Sequence, residues 1–369
     1  MEIESVAALE MAIDSGEPLT GLRLQDLDLG GHEAELLART DLDGLVVLGG
    51  RLSEALAHHL RLHGAFVFPS DPHAPVDPYR STLYQPHELY AGLAEHGYAA
   101  TPDARAHRWH ADAALKHDAF VCLLRAIHDD SMNDALTEVL GDSPVVGVMG
   151  GHAVRRGERA YAEAAGLGHA LAGAGLTVAT GGGPGAMEAA NLGAFAGSPD
   201  ALADALDRLS AVPDFSADVG AWAVTALSLH DDLLTAAPAG PAVPSVGIPT
   251  WFYGHEPPNV FCTGIAKYFS NAIREDGLLA RCTAGVIVLP GAAGTVQEVF
   301  QAATRLYYAP ADAPAPPLVL VGRDHWSDAV PVWPALTALA RGRGMTSRVH
   351  LVEDVHEAAA LVTAAPRPS

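Results

Sequence analysis

The stretch "VIVLPGAAGTVQEVFQAA", Val286 to Ala303, holds the residues best placed to do chemistry. Its apolar run ends at Pro290, and Gly291, Ala292, Ala293 and Gly294 then form a turn nearly free of side chains. Helical periodicity starts at Thr295. A turn that feeds a helix in this way offers backbone N–H groups at the positive end of the helix dipole, a cradle for phosphate or another anion. Thr295 and Glu298 share a helix face, with Cβ atoms about 5–6 Å apart. A phosphate held at Thr295 would bring an attached sugar close to Glu298. The competing reading gives Glu298 only the stabilisation of a helix N-terminus.

Two more apolar runs end in glycine, one at Gly150 and Gly151, the other at Gly181, Gly182 and Gly183. His152 follows the first and can reach a ligand or bond to backbone. Arg155 and Arg156, just beyond it, can clamp a phosphate or pair with surface acids, with a ligand role favoured for one of them. Gly185, Met187 and Glu188 follow the second turn, and Pro184 suits the first turn of the helix after it. A dinucleotide site fits poorly, because it wants an acid at the end of the second strand, where "VATGGG" has none. The glycines suit a mononucleotide or a sugar phosphate better.

These turns require a sheet to present them. From Ser143 onward, strand, turn and helix alternate through "VVGVMGG", "ERAYAEAAGLGHALAGAG", "LTVATGGG", "GVIVLPG", "PLVLVG" and "RVHLVED". The helix "ERAYAEAAGLGHALAGAG" turns small residues toward the sheet, and a later helix runs through "GIAKYFSNAIREDGLLARC". Short continuous apolar strands between helices predict a parallel sheet covered on both faces, an α/β doubly wound, Rossmann-like domain over residues 143–369. Ligands of such sheets sit beyond the carboxyl ends of the strands. Residues 1–142 read as a separate mixed region or cap of unknown role. Its proline-rich stretch "FVFPSDPHAPVDPYRSTLYQP" excludes regular helix and central strand.

The chain has 369 residues and a formal net charge of −22. So acidic a surface repels phosphate backbones, which argues against nucleic acid and anionic membrane as partners. Cys122, Cys262 and Cys282 lack metal-ligand spacing and suit reduced thiols in the cytoplasm. No apolar run reaches the roughly 18 residues that span a bilayer.

The segment "PGAAGTVQE" resembles the Pro-Gly-Gly-x-Gly-Thr-x-x-Glu motif of the LOG ("lonely guy") family, phosphoribohydrolases whose members are often labelled lysine decarboxylases. "GGHAVRRGERAYAEA", "TGGGPGAMEAANLGA" and "EPPN" resemble the larger bacterial branch, the pyrimidine/purine nucleotide 5′-monophosphate nucleosidases. The resemblance spans roughly Pro144 to Val362. It implies hydrolysis of the N-glycosidic bond of a nucleoside 5′-monophosphate, with no cofactor and no metal, by a homodimer or homotetramer. Gly291 to Gly294 and Thr295 would bind the 5′-phosphate, and Glu298 would face the ribose. Gly181 to Gly185 and Met187 would shape the nucleotide pocket, and Glu188 would bind ribose hydroxyls or merely begin a helix.

Two positions depart from the pattern. Ala292 replaces the motif's second glycine, which is tolerable where that residue does not need positive φ. The family's catalytic arginine would fall at Glu275, whereas the arginine here is Arg274. One helical residue rotates a side chain by about 100°. If the site works, Arg274 is expected in the pocket, keeping Glu298 ionised, and Glu275 is expected to point elsewhere.

Lysine decarboxylation is discounted, since Lys116 lies outside the α/β domain and Lys267 is placed mid-helix, away from any glycine turn. His107, His110, His117 and Asp118 match no zinc spacing, and His128, Asp129 and Asp130 read as a helix surface. The leading reading is a LOG-type nucleosidase. A nucleotide-binding regulator that has lost hydrolysis is the alternative from another class, and a dinucleotide-dependent oxidoreductase a weaker one.

Overall fold

A computed structural model describes residues 2–68, 71–237, 240–253, 256–310 and 315–365. The chain divides into two compact units, Met1–Leu83 with Asp112–Ala135, and Tyr84–Ala111 with Leu136–Ser369. The sequence boundary was set at residue 142. In the structure, residues 84–111 and 136–142 fall in the same unit as the predicted α/β domain.

The first unit contains a parallel sheet of short strands, β1 (Glu2–Ile3), β2 (Arg23–Gln25), β3 (Val46–Leu48) and β4 (Phe66–Phe68), in that spatial order. β4 opens the proline-rich stretch and occupies the edge, the position where a following proline costs no ladder hydrogen bond. Leu9, Leu24, Leu36, Val47, Leu56 and Leu60 belong to its core. His128 and Asp129, expected on a helix surface, are buried in helix Ala119–Leu140 and hydrogen-bonded to each other at 3.3 Å.

The second unit is the doubly wound domain. Its strands are β5 (Val145–Met149), β6 (Thr177–Thr180), β7 (Ser245–Gly247), β8 (Gly264–Ile265), β9 (Gly285–Val288), β10 (Leu318–Val321) and β11 (Val349–Val352). Their order is β11-β10-β9-β5-β6-β7-β8, every pair parallel. All residues of β5, β6, β9 and β10 are buried, which is why their sequences run apolar without alternation. The winding direction reverses between β5 and β9, so the crevice beyond these two strands is the topological switch point.

Helix Arg159–Gly173 was expected to turn its small residues toward the sheet. They mainly serve a close crossing with helix Ala186–Phe195. A Cβ on Gly168 would come within 2.0 Å of Ala190 O, and one on Gly193 within 1.8 Å of Ala165 O. Only glycine lets the two backbones approach this far.

Three local expectations need correction. The helix after β9 starts at Ala293, two residues before the expected Thr295. Pro184 precedes the helix, whose N-cap is Gly185 at φ +74°. The long helix expected from Gly264 is instead strand β8, an irregular segment, and helix Asn271–Arg281 capped by Ser270. Lys267 therefore lies outside any helix; it is buried and paired with Asp103 at 2.6 Å.

Candidate active site

A cavity of about 740 Å³ opens at the switch point. Gly150, Gly151 and His152 enter from the end of β5, and Gly291 to Gly294 with Thr295 from the end of β9. The two turns are joined by a hydrogen bond from Gly151 N–H to Pro290 O, at 3.1 Å. Ala292 has φ −111°, a region open to any residue, so the alanine causes no backbone strain. Gly291 is required for contact: a Cβ there would stand 2.2 Å from Thr295 Oγ1, because the threonine side chain folds back over the turn.

One helical turn on, Glu298 lines the same cavity and is only 7% exposed. Arg274 faces it with Nη1 3.7 Å from Glu298 Oε1. The guanidinium is held in place by bonds from Nε to Ile248 O (2.7 Å) and from Nη2 to Gly181 O (3.3 Å). This explains Gly181: a Cβ at that position would meet Arg274 Nη2 at 2.4 Å. The second glycine turn thus supports the arginine from behind. Asn259 of the "EPPN" segment braces it further, donating through its side chain to Gly183 O (3.2 Å) and through its backbone to Gly182 O (2.8 Å). Gly181, Gly182, Gly183 and Gly185 are not among the cavity-lining residues, whereas Met187 is.

Glu275 does not point away. It lines the cavity, is 4% exposed, and accepts a hydrogen bond from Arg274 Nη1. The length of the arginine side chain makes this possible, since the guanidinium can bend back to its neighbour in sequence. Nor does Arg274 hold Glu298 in the ordinary carboxylate range. Burial, with the Glu275 and Glu256 carboxyl groups nearby, outweighs the attraction of Arg274 and pushes Glu298 up from 4.5 to about 8.

Arg156 and Glu188 lie outside this cavity. They form a buried two-bond pair, Arg156 Nε to Glu188 Oε2 at 3.0 Å and Nη2 to Oε1. Arg156 also donates to Trp222 O at 3.1 Å, and its guanidinium stacks 4.4 Å from the centre of the Trp222 ring. Both line a smaller space of about 220 Å³ with Gly185 and Pro213. Arg155 reaches Asp214 instead, at 3.4 Å.

Among the cavity residues that sequence reasoning did not select are Tyr253, Glu256, Gln297 and His325. Glu256 stands 3.1 Å from His152 Nδ1, and the quoted "EPPN" segment was its only sequence signal. His325 follows β10, the strand beside β9, and its Nε2 lies 3.0 Å from Gly291 O and 3.3 Å from Gly291 N. No local pattern marked it. Elsewhere in the second unit, His87, His230 and Asp231 place one ligand atom each within 4.8 Å of one another, and a 2.6 Å hydrogen bond from His87 to Asp231 accounts for their approach. Among the described residues no helix is long and apolar enough to cross a membrane.

No protein-family model matches the chain, and no curated protein matches it significantly in sequence. Solved structures similar to it include the molybdenum cofactor binding protein of the phototrophic bacterium Rippkaea orientalis, with TM-score 0.36, 16% identity, and coverage of 60% of this chain and 95% of that one. Another is the molybdenum cofactor carrier protein of Chlamydomonas reinhardtii, with TM-score 0.35, 17% identity, and coverage of 60% and 96%. At that similarity neither carries a ligand or an activity over to this chain.

Proposed function

We propose that the chain hydrolyses the N-glycosidic bond of nucleoside 5′-monophosphates, releasing free base and ribose 5-phosphate. The observation that carries this reading is the Arg274–Glu298 approach of 3.7 Å in a cavity whose adjoining wall is the turn Gly291 to Thr295. The turn takes the 5′-phosphate on backbone N–H groups at a helix start. Glu298, one turn on, faces the sugar. As the C1′–N bond breaks, positive charge grows on the ribose, and a carboxylate in a water-poor site stabilises it. Glu298 accepts a proton from the attacking water, and the hydroxide adds to C1′ as the C1′–N bond pair goes to the base. The departing base takes a proton from solvent water, while Glu298 returns its own to solvent. A homodimer or homotetramer acting in the cytoplasm, on neither nucleic acid nor membrane, belongs to the same reading.

The test is incubation with a panel of nucleoside monophosphates and their nucleosides, followed by detection of free base. Release from a monophosphate, and much slower release from its nucleoside, is the expected result, because phosphate binding positions the ribose. Equal turnover of adenosine and AMP would sink the reading.

A second reading is a nucleotide-binding regulator without hydrolysis. It is favoured by the bond between Arg274 and Glu275, which diverts the guanidinium, and by the raised pKa of Glu298. Tight nucleotide binding with no free base after prolonged incubation would support it.

A further inference from the structure

Glu275 has two carboxyl oxygens in unlike surroundings. Oε1 accepts from Arg274 Nη1, while Oε2 is buried without a hydrogen-bond partner among the described residues. A buried acceptor left unbonded bears its full desolvation cost. The surrounding protein offers little relief. Arg274 already bonds to Ile248 O, Gly181 O and Glu275 Oε1, and neither Glu256 nor Glu298 makes a hydrogen bond to Oε2.

The site therefore calls for a donor from its occupant. A fully ionised phosphate supplies none, since its oxygens only accept. The donor must also lie on the sugar side of the cavity, because a single arginine nitrogen links Glu275 to Glu298, the residue facing the sugar. We infer that Glu275 Oε2 accepts a hydrogen bond from a hydroxyl of the ribose 2′,3′-diol, making Glu275 a positioning residue that selects ribonucleotides over deoxyribonucleotides. This rests on the nucleotide reading above and adds the sugar specificity of the same site.

Calorimetric binding of AMP, 2′-deoxy-AMP and 3′-deoxy-AMP tests it, in the Glu298→Gln background so that nucleotide persists. With Glu275 intact, AMP should bind at least about tenfold tighter than one deoxy analogue. Glu275→Ala should erase most of that difference by weakening AMP, leaving the affected analogue nearly unchanged. Glu275→Met, close in size and without an acceptor, should do the same, and it provides a second route should the alanine variant fold poorly. A purely structural role would weaken all three nucleotides alike. An unchanged preference for ribose in a folded variant overturns the role of Glu275 alone. Failure of every nucleotide to bind with Glu275 intact overturns the nucleotide reading with it.

Discussion

Arg274 stands between two carboxyl groups, bonded through Nη1 to Glu275 Oε1 and 3.7 Å from Glu298 Oε1. One guanidinium serves both, and its other nitrogens are fixed on backbone carbonyls. Arg274→Ala should therefore do more than lower base release. It removes the only cation seen against either carboxyl group among the described residues, and breaking such a buried arrangement costs about 3–5 kcal/mol. Urea unfolding would read this as a lower midpoint, with a smaller loss in Glu275→Ala because Arg274 then still faces Glu298. Equal midpoints for the wild type and Arg274→Ala would contradict it.

Glu298→Gln keeps the shape of the site and removes its charge. Base release should fall by about 10²–10³ or more, the scale of a lost preorganised electrostatic contact, while affinity for the nucleotide stays within a few fold. Chromatography of free base and calorimetry on the same preparation would separate the two effects. Parallel loss of binding would mean that Glu298 holds the ligand instead of acting on the bond.

The raised pKa of Glu298 has a definite sign in stability. The folded protein holds a proton up to about pH 8 that an unfolded glutamate surrenders near 4.5. Its stabilising contribution is complete below the unfolded value and is lost as pH rises through that window toward the folded value. Other groups titrate there too, so the informative quantity is a difference. Tm of Glu298→Gln minus Tm of wild type should grow between about pH 5 and pH 8 and level off above. A difference that stays flat would place Glu298 in the ordinary range. If its carboxylate is the working form, base release should climb over the same interval.

Gly291→Ala sets a new Cβ 2.2 Å from Thr295 Oγ1. The threonine must swing away, at an overpacking cost of about 1–3 kcal/mol, and the turn loses its shape for an anion. Inhibition by inorganic phosphate or sulfate should weaken by about tenfold or more, a shift of about 1.4 kcal/mol. Unaltered inhibition would put the anion elsewhere.

Arg156 and Glu188 should behave as a structural couple. Either single replacement by methionine leaves a buried charge alone and should cost about 3–5 kcal/mol, whereas the double replacement should cost much less than the two together. Denaturation midpoints of the three variants test this, and simple additivity would deny the coupling.

The sheet was legible because fully buried strands such as "VVGVM" and "LVLV" have to be apolar on both faces. The first and third glycine turns were legible for a related reason: each sits directly after such a strand, and both line the cavity. What the sequence hid depends on contacts between distant segments. Gly181 looked like a ligand turn, yet its missing side chain makes room for Arg274, 93 positions away. Arg156 and Glu188 each looked available, but they consume one another across 32 positions. Glu275 was judged by helical angle alone, and the reach of its neighbour's side chain decided the matter.

His325 brings one ring nitrogen against both the carbonyl and the amide of Gly291. That nitrogen cannot give and receive a proton at once. Where it carries hydrogen it donates to the carbonyl, and the amide is left for a visitor. Where it is bare it takes the amide for itself. The protein thus supplies its own partner for the turn that the proposed phosphate would occupy, set by the position of a single proton. On the proposed reading, an arriving phosphate would exchange with an imidazole as well as with water, and its apparent affinity would measure how much better a tenant it makes.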